Sequence, residues 1–139
     1  MQSTLILWPM VILALATLYL YIPMSKARVK SVKDGTVKAA VYKLNQGEPE
    51  ESLQFTRAIA NQYETPTLFY AVCLAAYVSS NDSMVMIILA WGFALSKIAH
   101  SYVHISTNNL RHRRPMFMVS FATLILLWLV FAVHLAEIL

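Results

Sequence analysis

The residues whose types and spacing bear on chemistry are the ionisable ones set inside otherwise apolar segments. Arg57, Asn61 and Glu64 recur at i, i+4 and i+7. At about 100° per residue they fall, with Leu68, on a helical stripe roughly 60° wide. Lys97, His100, His104 and Asn108 form a comparable stripe further along. Arg111 joins this second stripe if the helix continues that far, whereas Arg113 would point almost the opposite way. Ionisable groups inside a bilayer cost roughly 2.5–3.5 kcal/mol each on insertion scales, so they persist where they face a partner, a cavity or a ligand. Spacing leaves two readings open. One is a polar pocket; the other is an interhelix network that fixes packing or oligomer state, with Lys97 snorkelling to the interface. His100 and His104 have the spacing of a metal pair, but no carboxylate or cysteine on that stripe completes a zinc site, and no metal is expected. His134 and Glu137 read as interfacial polar residues.

The elements that carry these stripes follow from composition. The chain has 139 residues, 58% of them hydrophobic and 13% charged. A soluble domain of that size needs far more polar surface. Leu5–Met24, Thr65–Asn81 and Met116–Ala136 carry no full charge, and Ser83–Ser96 is a shorter uncharged stretch. A crossing takes roughly 20 residues at about 1.5 Å each. The expectation is therefore an all-α membrane protein, a four-transmembrane-helix bundle in one domain over residues 1–139. Its helices are expected at approximately 3–24, 50–80, 83–108 and 116–138. Pro23 sits at the end of the first helix, and Trp8, Tyr19 and Tyr21 suit interfacial positions. The first apolar run has no Lys or Arg ahead of it and exceeds a typical signal core, so it reads as a retained helix. Pro49 and the acidic residues beside it look like a helix start. The lone Cys73 can form no intrachain disulfide and reads as a core or lipid-facing residue.

Charge sets the orientation. Of the eleven Lys and Arg residues, all but Arg57 and Lys97 fall in Ser25–Glu51 or Asn108–Pro115. The remaining link, around Asp82, has no Lys or Arg. By the positive-inside rule the two basic loops face the cytoplasm and both termini face away from it. The net charge of +4 thus reads as topology and lipid-headgroup contact, not nucleic-acid binding. The second and third crossings are too short if only uncharged residues count. Both must include their polar halves, which then lie in the same cytoplasmic-side leaflet.

At this point the residues resemble a known family. Arg57-Ala58-x-x-Asn61-x-x-Glu64-x-Pro66, followed by Leu68-Phe69, looks like the helix-two signature of the MAPEG family, the membrane-associated proteins in eicosanoid and glutathione metabolism. Lys97-x-x-His100-x-x-x-His104, with Arg111 seven residues on, resembles that family's helix-three pattern of Arg-x-x-Tyr/His-x-x-x-Tyr and a following Arg. The resemblance spans the four-helix length and is strongest over about residues 55–117. It implies a trimer of four-helix subunits that binds glutathione between subunits, toward the cytoplasmic side, and presents its thiolate to a lipophilic electrophile or hydroperoxide. Carried over, Arg57, Asn61, Glu64, Lys97, His100 and His104 would hold the tripeptide. Arg111 would stabilise the thiolate, since a nearby cation lowers a thiol pKa. A second register, Asn109-x-x-x-Arg113, assigns that role to Arg113. Lys97 departs from the family Arg and lacks its bidentate fork, and His104 replaces a ring hydroxyl.

The function expected on this resemblance is a membrane glutathione transferase or peroxidase in a bacterial inner membrane. The alternative is a non-enzymatic lipid-binding or scaffolding member of the same fold. A small proton-coupled exporter would need a carboxylate in its first helix, and Leu5–Met24 has no ionisable acid or base.

Overall fold

The structure, a computed structural model, describes residues 4–44, 46–81 and 83–138, without the side chains of Glu137 and Ile138. Residue 3, Asp82 and the Glu137 side chain, which figure in the expectations above, lie outside the described residues. The chain is helical: α1 (Leu7–Lys33), α2 (Val41–Leu44), α3 (Glu50–Asn61), α4 (Thr65–Val78), α5 (Met84–Ile105) and α6 (Leu110–Ile138). Among the described residues three helices are long and apolar enough to cross a membrane, within Leu7–Lys33, Met84–Ile105 and Leu110–Ala136. This is an integral membrane protein.

Each boundary that departs from expectation has a local cause. The first helix does not stop near residue 24. It runs through Pro23 to Lys33, because the loss of one backbone hydrogen bond is offset by the good helix formers Lys26, Ala27, Arg28 and Lys30. The single helix expected over 50–80 is instead two helices. Pro66 has no N–H to donate, and its ring would clash with the carbonyl of Gln62 in a continuous helix. Accordingly α3 ends at Asn61, and α4 restarts with Pro66 in its first turn and Glu64 at the break with φ −86° and ψ −99°.

The third helix ends at Ile105, short of Asn108. Asn108 adopts φ +51°, in the left-handed region that Asn tolerates better than most residues. Asn109 Oδ1 then accepts from the Arg111 N–H at 2.9 Å, capping α6. With that cap α6 begins at Leu110, six residues before the expected Met116, and absorbs Pro115.

The core lies between α1, α4, α5 and α6. Phe69 and Phe93 are fully buried and stack with ring centroids 4.4 Å apart, surrounded by Val72, Ala76, Ala90 and Leu127. Cys73 is fully buried in the same cluster. The most extensive helix pair is α5 on α6. Small residues make that approach close: a Cβ added at Gly92 would meet the Thr123 methyl at 3.4 Å. A smaller cluster of Leu20, Ala58 and Ile59 joins α1 to α3. On α1 and α6, Trp8, Leu15, Leu18, Ile125 and Leu129 are exposed, as apolar faces turned to lipid or to another protein require.

Candidate functional site

One end of the bundle gathers the polar side chains. There α1 is tied to the loop before α3 and to α3 itself. Arg28 Nε donates to Glu48 Oε1 at 2.8 Å, and Arg28 Nη2 donates to Glu48 Oε2 at 3.3 Å and to Thr56 Oγ1 at 3.0 Å. The Arg28 guanidinium also lies 5.0 Å from the Tyr42 ring centroid. Burial by itself would raise the Glu48 carboxyl. Hydrogen bonds from Arg28, Ser52 and Thr56, with the Arg28 charge, hold it below the ordinary carboxylate value.

The clamp sets α3 against the C-terminal end of α5. Gln54 Nε2 donates to the His104 carbonyl, and to the Ser106 carbonyl at 3.4 Å. These acceptors belong to the last turn of α5, whose carbonyls have no partner within the helix. Between these elements opens a groove of about 510 Å³, lined by Arg57, Asn61 and Glu64 together with His104, Asn108 and Arg113. Glu50 and Gln54 line it too. Both continue the Arg57 stripe N-terminally at helical spacing, a signal the sequence carried. A second groove of about 540 Å³ shares Asn61 and Arg113 with the first and adds His100, Arg111, Arg114 and Phe117.

The stripes on the second and third helices therefore meet, at one end, as their order along the chain implied. Within them the residues differ. Among the described residues neither Arg57 nor Glu64 is in an ion pair; the ion pairs found are Arg28–Glu48 and Lys30–Glu51. His100 and His104 are buried, their rings 5.8 Å apart, and each Nδ1 lacks a hydrogen-bond partner. Lys97 is fully buried and lines neither groove. Its Nζ has no hydrogen-bond partner and lies 5.3 Å from the Phe117 centroid. It does not snorkel.

The two arginines also separate. Because α5 stops at Ile105, the continuous helix that would have aligned Arg111 with His104 does not form. Arg113 lines both grooves, and its Nη1 donates to Asn108 Oδ1 at 2.7 Å. Arg111 reaches the second groove alone.

Two arginines, Arg57 and Arg113, and two carboxylates, Glu50 and Glu64, share the lining of the first groove, and among the described residues none of the four is in an ion pair. A family model described as MAPEG family matches residues 6–133, nearly the whole chain. The chain belongs to the MAPEG family. Neither the curated proteins nor the solved structures contain a match to it.

In this MAPEG chain, His134 makes a contact between helices. His134 Nε2 lies 3.4 Å from the Ser79 carbonyl and joins α6 to the end of α4. Among the described residues no three His, Cys, Asp or Glu side chains come together as a metal site. Gln54, Gln62 and the Arg28–Glu48 pair were not singled out in the sequence. Their partners stand 20 to 50 positions away, and no local pattern announces such pairs.

Proposed function

We propose that this MAPEG protein is a glutathione transferase or peroxidase acting on lipophilic electrophiles or hydroperoxides. The observation that carries the reading is the groove shared by Arg57, Asn61, Glu64, His104 and Arg113. Its volume of about 510 Å³ falls within the roughly 300–1,000 Å³ of small-ligand sites. The donor set fits the tripeptide. Glutathione has two carboxylates, for which Arg57 and Arg113 are unpaired by any acid, and an α-ammonium, for which Glu64 and Glu50 are groove carboxylates in no ion pair. Asn61 offers further hydrogen bonds to its amides.

The chemistry asked of the protein is modest. Holding the thiol beside a guanidinium favours the thiolate, which is the nucleophile. Attack on an electrophilic carbon forms the C–S bond as the leaving group departs or the ring opens. With a hydroperoxide, the thiolate takes the terminal OH as the O–O bond breaks, the alkoxide leaves as the alcohol on taking a proton from water, and a second glutathione thiol displaces water from the resulting sulfenic acid to give the disulfide. Arg113 stands in the groove with His104, and Arg111 borders only the neighbouring one, so Arg113 is the stronger candidate for the cation.

In this reading α3 and α4 together make a fourth crossing. Alone they are 12 and 14 residues long, each short of the roughly 20 a bilayer needs. The basic end faces the cytoplasm of a bacterial inner membrane, both termini lie on the other side, and three copies assemble so that a neighbour walls the open groove. One observation favours the second reading, a lipid-binding member without catalysis: Lys97, at the family's Arg position, is sealed from both grooves.

The deciding experiment is glutathione binding to the purified protein in mild detergent, read with ultraviolet thiolate absorbance near neutral pH and native mass spectrometry. Binding with thiolate formation by a trimer is the expected result. Binding without thiolate removes the activation step, and no binding moves the assignment to the lipid-binding member.

A further inference from the structure

The second groove, of about 540 Å³, differs in charge from the first. Its polar lining is Asn61, His100, Arg111, Arg113 and Arg114, with no carboxylate among them. The three arginines follow Leu110, the first residue of α6, and that helix has no acid in its first turn. They therefore stand at the positive end of the helix dipole, where cations are disfavoured. Among the described residues none of the three is in an ion pair. Arg113 donates to the neutral amide oxygen of Asn108, which leaves its charge uncompensated. An anion seated here would relieve both the mutual repulsion of the cations and their conflict with the dipole. His100 lines the same groove from α5 and is 4% exposed. Its Nδ1 is sealed without a partner, so Nε2 is the nitrogen left to a ligand.

The depth of the cluster points to the source of that anion. Met116–Ala136 carries no full charge. At about 1.5 Å per residue it spans about 31 Å, close to the thickness of the hydrocarbon core. Arg111 to Arg114 then stand roughly 3–8 Å beyond Met116, in the layer that holds lipid phosphates. Below them the same face of α6 turns apolar. Phe117, Phe121 and Ile125 continue the line of Arg114 at helical spacing. The Phe117 and Phe121 rings stack with centroids 6.2 Å apart, and Phe121 and Ile125 are exposed.

We infer that this groove binds the headgroup of an anionic glycerophospholipid from the leaflet at the basic end of the bundle. The phosphate accepts from Arg111 and Arg114, whose planar guanidinium forks match its oxygens. His100 and Asn61 close the inner side, and an acyl chain runs down Phe117, Phe121 and Ile125. The lining also selects among headgroups. A choline or ethanolamine ammonium would find no carboxylate here, whereas a glycerol headgroup adds only hydroxyls. The first groove, by contrast, carries both signs of charge. The lipid site does not rest on glutathione binding in that groove, although Asn61 and Arg113 wall both.

The test titrates the purified full-length protein, in detergent and without glutathione, with phosphatidylglycerol or with phosphatidylcholine of the same chains. Native mass spectrometry counts the lipids retained. Phosphatidylglycerol should be retained the more tightly. Arg114→Gln should weaken its binding about tenfold, the worth of one charge-assisted hydrogen bond at a partly exposed site. Arg111→Gln with Arg114→Gln should remove the preference over phosphatidylcholine. Neutralising cations at a positive helix end does not weaken the helix, so such a loss is not a loss of fold. Lys33→Gln with Lys38→Gln removes two charges elsewhere at the same end and should leave the affinity as in the parent. Equal retention of the two lipids, parental binding by the arginine variants, or an equal loss in the lysine variant overturns the proposal. Displacement of the lipid by glycerol 3-phosphate in excess also overturns it and makes the ligand a soluble phosphate.

Discussion

Arg28→Met is the perturbation whose size the structure allows us to work out. In the parent, the Glu48 carboxylate is 1% exposed and receives two hydrogen bonds from Arg28, whose own side chain is 25% exposed. Methionine keeps most of the aliphatic stem and removes every donor. Glu48 is then left with the hydroxyls of Ser52 and of Thr56, the latter at 3.1 Å and shared with the Ser52 carbonyl. Breaking one side of a buried pair costs about 3–5 kcal/mol, and the partial exposure of Arg28 places this case near the lower end, at about 3 kcal/mol. For a chain of this length that is a fall of about 10 °C in the unfolding midpoint, measurable in detergent by circular dichroism.

The pH dependence follows from the sign of the Glu48 shift. Its folded pKa lies below the ordinary carboxylate value of 4.5. The stability it contributes is therefore fully present above that value and is lost as pH falls through the folded pKa. The gap between parent and variant should narrow in the same window. The double variant Arg28→Met with Glu48→Met should recover most of the loss, because an apolar pair of similar volume often matches a buried ion pair. A midpoint unchanged by Arg28→Met, or a deficit that persists undiminished well below pH 4.5, would refute the view that this pair holds α3 in place.

Other outcomes bear on the charged groove. Arg57→Ala should weaken glutathione binding by about 10- to 100-fold, the loss of a charge-assisted hydrogen bond to a carboxylate, without altering the helical circular-dichroism signal; unchanged affinity in a titration would remove Arg57 from the site. Arg113→Ala should reduce thiolate absorbance of the bound tripeptide more than Arg111→Ala does, and the reverse order would assign the role to Arg111. Lys97→Met should raise the unfolding midpoint, by about 1–2 kcal/mol in stability, since it replaces a buried cation without a hydrogen-bond acceptor by an apolar side chain of similar length. A lowered midpoint would mean that Nζ finds an acceptor outside the protomer.

The sequence by itself determined the membrane class, the uneven distribution of charge and the meeting of two polar stripes. Each is a consequence of local pattern: runs without charge must be helical where backbone groups lack water, and polar ends at i, i+3 and i+4 spacing share a face. It did not show the break at Pro66, since Pro23 and Pro115 stand inside the continuous helices α1 and α6 and the fold alone separates the three cases. Tertiary structure alone decided which arginine enters the groove. The left-handed Asn108 and the Asn109 cap reset the helical phase between His104 and Arg113, and a helical wheel cannot be carried across a turn whose geometry is unknown. It also decided that Lys97 is sealed beneath Phe117, that Arg28 meets Glu48, and that Gln62 meets Ser101. Those outcomes depend on which side chains distant in the chain come within about 3 Å of each other, the range over which a hydrogen bond acts.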